Sequence, residues 1–103
     1  MASGGARVVT GSFTGSGAEI EIKKVGFQPR VVQLLNISGQ CKADWLEGMA
    51  DAAMMKTVDS GAGATDVSHV TSGGVTPLAD GFKLGTDADL NAAGEVVHYA
   101  CWD

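Results

Sequence analysis

The sequence predicts a small all-β domain, a compact antiparallel β-sandwich of about seven to nine short strands with a jelly-roll-like layout. Three observations carry the prediction. Fifteen glycines are scattered without period through 103 residues, the apolar runs are short and rich in β-branched side chains, and turn residues separate them at brief intervals. A chain of this length forms one domain with little apolar area to spare, so partner subunits matter to its stability. Residues 1–5 read as a flexible N-terminal arm and residues 6–103 as the single domain.

The longest apolar run, Arg30 to Ile37, is the expected central strand. Gly26 supplies a bend before it, and Pro29, which lacks an amide donor and biases Gln28 to extended geometry, sets where pairing can begin. Its residues are more apolar than a strand with one wet face requires, so both faces are expected to be covered.

In chain order, Ala6 to Phe13 forms a first strand ending at the turn residues Thr14-Gly15-Ser16-Gly17. Ala18 to Lys23 alternates in period two, with Ile20 and Ile22 inward and Glu19, Glu21 and Lys23 in water, as suits an edge strand. Cys41 to Leu46 puts Cys41, Ala43 and Trp45 on one face and is an antiparallel neighbour for the central strand. The Ala- and Met-rich stretch Gly48 to Lys56 is where a helical turn competes; the expectation is a loop with one such turn, passing into a short strand near Met54 to Val58. Asp59 to Ala64 reads as a surface loop, Thr65 to Val70 as a strand, Ser72-Gly73-Gly74 as a turn, and Asp80-Gly81 as a tight turn before Phe82-Lys83-Leu84. Gly85 to Gly94 is a long polar connection. The last strand, Glu95 to Trp102, is apolar on both faces and is expected beside Arg30 to Ile37. The expected core draws on Val9, Phe13, Ile20, Ile22, Phe27, Val32, Leu34, Trp45, Phe82, Leu84, Val97 and Tyr99.

The net charge of −5 and the single adjacent basic pair, Lys23-Lys24, offer no electrostatic footprint for nucleic acid or an anionic membrane. Neither a charged leader with an apolar core nor a bilayer-length apolar run is present, so the expectation is synthesis in the cytoplasm.

Two segments carry a family resemblance. Gly26-Phe27-Gln28-Pro29-Arg30-Val31-Val32 is one; Gly81-Phe82-Lys83-Leu84-Gly85-Thr86-Asp87, running on to Leu90-Asn91-Ala92-Ala93-Gly94 and an aromatic terminal strand, is the other, with Trp45 between them. Together they resemble a structural module of tailed-bacteriophage virion proteins found in tail-fibre and head-associated chains. The resemblance implies a β-sandwich in a phage particle, oligomeric, with no catalytic residues to carry over. The module fills residues 26 to 102 without the long fibre domains it accompanies elsewhere. The function it implies is therefore a non-enzymatic virion subunit that decorates or links capsid proteins as a homo-oligomer, with a trimer as the expected order. The alternative is a carbohydrate- or receptor-binding module of a short fibre.

Cys41 and Cys101 lack zinc-ligand spacing and read as two buried thiols, or as a disulfide within or between chains formed after release from the cell. Trp45, Tyr99 and Trp102 are a candidate aromatic interface or sugar platform, in a chain only 6% aromatic. Asp87, Asp89, Asn91 and Glu95 offer oxygen ligands, but Ala92 stands where a calcium loop needs glycine, so no metal or cofactor is expected. His69 and His98 lie on strands with no nucleophile turn near them, and no catalytic residue is assigned.

Overall fold

Every second residue of a strand faces the same way, so a chain of short alternating segments can bury one face by curling a single sheet. The computed structural model describes residues 7–61 and 64–103. It has eight strands: β1 (Val8–Thr14), β2 (Ile20–Ile22), β3 (Val31–Asn36), β4 (Cys41–Leu46), β5 (Ala53–Gly61), β6 (Ala64–Leu78), β7 (Gly81–Leu84) and β8 (Val96–Trp102). All pair antiparallel in one sheet of order β1-β8-β3-β4-β5-β6-β7-β2. The fold is all-β and sandwich-like, its two layers being the two halves of one sheet curled into a half-barrel.

The central strand begins after Pro29, as the missing amide requires, and β8 and β4 lie on its two sides. The inner face carries Val32 and Leu34 of β3, Ala43 and Trp45 of β4, and Val97 and Tyr99 of β8, all buried. Phe82 and Leu84 of β7 and Ile22 of β2 close over them from the far side of the curl. Loop residues Val25, Phe27 and Leu90 fill the space between the two halves. The twelve expected core residues all lie in this cluster or pack against it, half-buried Val9, Phe13 and Ile20 among the latter.

Four expectations are corrected. No helical turn forms between Gly48 and Lys56: the chain turns at Asp51-Ala52, and Ala53 and Met54 are buried in β5, where packing on the core outweighs their helix propensity. Of the expected loop, Asp59, Ser60 and Gly61 instead continue β5 and Ala64 opens β6; its residues 62 and 63 lie outside the described residues, as does the expected arm, residues 1–5. Ser72-Gly73-Gly74 is not a turn but an irregularity inside β6, where the register to β5 jumps from Val70 opposite Met54 to Val75 opposite Ala53. Gly73 takes a φ of 80°, the left-handed region open to glycine, and a side chain on Gly74 would lie 2.8 Å from the carbonyl oxygens of Ala52 and Ala53. The bulge lets one strand pair first with β5 and then with β7. Finally, β3 and β8 are covered on one face only, with Leu35 and Val96 exposed on the other.

The connection from Gly85 to Glu95 is held like a piece of core. The Asp87 carboxylate accepts the backbone N–H groups of Asp89 and Leu90, and Asn91 N–H donates to the Asp87 carbonyl, winding the segment into a turn. Fully buried Asn91 accepts from Ser16 N–H and donates to the carbonyls of Ala18 and Gly85, joining this turn to the β1–β2 connection. Fully buried Asn36 donates to the Asp89 carbonyl and to Glu95 Oε1, fastening the same loop to β3. Each buried amide is satisfied, as burial of polar groups demands.

Candidate functional site

The uncovered side of the sheet is built by strand alternation. With Val9, Tyr99, Leu34 and Ala43 inward, their neighbours stand outward in cross-strand rows. One row is Val8, Trp102, Val31 and Leu46. The next is Thr10, Ala100, Gln33, Asp44, Met55 and His69, and the third is Ser12, His98, Leu35, Lys42, Thr57 and Val67.

These rows differ in chemistry. The first is apolar throughout, with Val8 53% and Leu46 50% exposed; the other two mix hydroxyls, one amide, two imidazoles and one charge of each sign with Leu35 (46%) and Met55 (41%). A shallow groove of about 600 Å³ crosses them between β1 and β4, lined among others by Thr10, Ser12, Gln33, Leu35, Asp44 and His98. Apolar side chains interleaved with neutral hydrogen-bonding groups suit contact with another protein surface, where apolar area is buried and polar groups set the fit.

The aromatic candidates do not share a surface. Trp45 is buried, its indole N–H donating to the Ala50 carbonyl at 3.1 Å. Tyr99 is buried with its ring 5.5 Å from Phe82, edge to face, and 6.4 Å from Phe13. Trp102 stands on the outer face in the first row, on the other side of the sheet from both. Their platform is therefore not formed, because the residue parity that sends Tyr99 inward sends Trp102 outward.

Cys41 and Cys101 are buried free thiols. Cys41 aligns with Asn36 and Cys101 with Val32, on opposite sides of β3. That places them about 16 Å apart by strand spacing and rise, beyond the reach of a disulfide. An intrachain bridge is thus excluded by register, and an interchain one needs the core to open. Burial pushes the Cys41 thiol up to about 11, with the charges of Asp89 and Asp87 adding to it, and the Cys101 thiol up to about 12.

The unfolded chain sheds these protons near pH 9.0, the ordinary thiol value, whereas the folded chain keeps them. Their contribution to stability is therefore complete below pH 9 and declines above it, by about 2 kcal/mol per thiol at pH 10.5. Urea midpoints at pH 8 and 10.5 check this: Cys101→Ala, although less stable at both, should show a shallower decline. An equal decline in the variant would refute the assignment.

The acidic candidates are occupied by the chain itself. Lys56, facing inward from β5, reaches Asp87 Oδ1 at 2.8 Å and Asp89 Oδ2 at 2.7 Å, while Glu95 accepts from Asn36. Burial alone would lower the Lys56 ammonium, but its hydrogen bonds to Asp87 and Asp89 and their charges hold it above its usual value. Among the described residues no group of three or more His, Cys, Asp or Glu side chains is placed to hold a metal ion. His98 lines the groove and His69 stands in the same outer face farther along. No helix of the described residues is long and apolar enough to cross a membrane.

Neither a family model, nor a curated protein, nor a solved structure matches this chain. The outer face escaped the sequence reading because β3 and β8 are apolar at both parities, and pattern alone does not say which apolar face the rest of the chain covers. The alternation of Gln33, Lys42, Asp44 and His98 with those apolar residues was the available signal.

Proposed function

We propose that this protein is a non-enzymatic structural subunit of a phage virion, one that decorates or links capsid proteins as a symmetric oligomer. The observation that supports the reading is the outer face of the sheet. A chain that encloses one core yet leaves Val8, Leu35, Leu46, Met55 and Val96 exposed on the opposite side of its central strands is shaped to be covered by other protein. The ordered resemblance of residues 26–32 and 81–94 to virion modules supplies the setting, and closed symmetry suits a small subunit repeated on a shell. Nucleic acid and membrane are not partners in this reading, since the chain carries net charge −5 without a basic patch.

The test is particle association. When the tagged chain is expressed during growth of the phage that encodes it, it should band with purified particles. Leu35→Glu places a charge at the middle of the outer face, where the exposed position tolerates it in the folded chain, and should reduce the bound amount at least about tenfold. Particles free of the wild-type chain would overturn the reading. The groove itself favours a second reading, a carbohydrate- or receptor-binding module, because hydroxyl, amide and imidazole groups surround an apolar floor. Glycan-array binding that His98→Ala abolishes, with no particle association, would select it.

A further inference from the structure

The two edges of the sheet are β1 and β2, and they are built differently. β2 is three residues long and set among Glu19, Glu21, Lys23 and Lys24, whose charges oppose strand addition. β1 is seven residues long, with no charge, proline or bulge, and its register to β8 runs unbroken from Val8 opposite Trp102 to Thr14 opposite Val96. Asp103 N–H donates to the Arg7 carbonyl and Gly15 N–H to the Glu95 carbonyl, so the odd-numbered residues of this segment turn their backbone groups toward β8. Antiparallel alternation then points the N–H and C=O groups of Val8, Thr10, Ser12 and Thr14 out of the open edge. Among the described residues these groups have no partner strand.

The sequence of that edge is close to a palindrome: Val8-Val9-Thr10, then Gly11, then Ser12-Phe13-Thr14. We infer that β1 pairs antiparallel with β1 of a second copy about a two-fold axis through Gly11, joining the two sheets into one. In this register Thr10 faces the partner's Ser12, two hydroxyls on the outer face. Val9 faces the partner's Phe13, an aliphatic–aromatic pair over the margin of the core, where both are only half-buried. Val8 faces the partner's Thr14. Each pair is of a kind that stabilises neighbouring strands. The outward residues all fall on hydrogen-bonding positions, so about eight backbone hydrogen bonds form around the axis. Gly11 sits at the non-bonded crossing, where backbones come closest. A side chain there would lie 2.5 Å from the Tyr99 hydroxyl, so the crossing stays open. The contact is isologous, and it closes on itself without exposing a new edge from β1. It goes beyond the virion reading and stands on the strand alone, while merging two outer faces into one continuous surface.

The experiment measures solution mass of the full chain by light scattering over a concentration series, with hydrogen exchange at β1. The wild type should reach twice the 10.5 kDa chain mass, with Thr10 and Ser12 amides protected. The double variant Thr10→Lys, Ser12→Lys sets like charges opposite each other across the axis. It should weaken pairing at least about tenfold and expose those amides, with circular dichroism unchanged. Thr10→Lys, Ser12→Glu sets opposite charges in the same places and should restore the dimer at low salt. A wild-type chain monomeric throughout the series overturns the inference. So does an oligomer, a trimer included, that keeps its mass in the like-charge variant or leaves the Thr10 and Ser12 amides exchanging freely. Particle association is read separately, so failure of this pairing and failure of the virion reading are distinguishable.

Discussion

Phe82→Ala is expected to destabilise the chain by about 3–5 kcal/mol, enough to lower the melting temperature by roughly 20 °C in a domain of this size. Phe82 is fully buried, and its ring meets Tyr99 edge to face at 5.5 Å. Tyr99 belongs to β8, second in the sheet order, and Phe82 to β7, second from the other end. Contact between them is among those that hold the curl closed. The cost therefore includes both the transfer of an aromatic side chain and a cavity between two facing strands, β7 and β8, that are not paired with each other. Phe82→Leu keeps most of the volume and should cost about 1.5 kcal/mol or less. Urea denaturation of both variants checks the ranking, and a loss under about 1 kcal/mol for the alanine variant would mean that the halves are held mainly elsewhere.

Lys56→Ala should cost about 3 kcal/mol near neutral pH. Its ammonium bridges Asp87 and Asp89, the first of which is only 8% exposed at its side chain, and removal leaves two neighbouring carboxylates without their cation. The loss should be largely recovered when Asp87→Asn and Asp89→Asn are added, because the uncompensated charge rather than the missing contact dominates. If the triple variant is no more stable than Lys56→Ala alone, the charge argument fails. Because the folded chain holds the Lys56 proton above its ordinary value of 10.5, the stability it contributes is complete below that pH and disappears as pH climbs past it. Alkaline denaturation of wild type and Lys56→Met should therefore converge at high pH.

Both effects belong to groups whose chemistry was visible in the sequence but whose partners were not. Phe82 was legible as core because it follows a tight turn in an apolar segment; that it meets Tyr99 depends on how far the sheet curls. Asp87, Asp89 and Glu95 were legible as a cluster of oxygen ligands. Pairing of β5 with β4 aims Lys56 at the first two, and Asn36 of β3 engages the third. A metal-like pattern thus became a structural ion bridge.

Local pattern was enough to give the all-β class, the adjacency of Arg30–Ile37 to the terminal strand, the inward face of Cys41–Trp45 and part of the core, though not buried Val25, Ala53, Met54, Val75 or Leu90, because period-two patterning and proline and glycine chemistry act locally. Tertiary structure alone decided three things. It straightened Ser72-Gly73-Gly74 into a bulged strand, where burial of Met54 and Val75 outweighs turn propensity. It put Trp45 and Tyr99 in the core and left Trp102 on the outer face, since alternation sets Tyr99 and Trp102 on opposite faces but only the packed sheet says which face is covered. And it left one apolar face of β3 and β8 uncovered. Whether an apolar face is core or interface depends on which other segments reach it, and that is a property of the sheet's closure rather than of any strand.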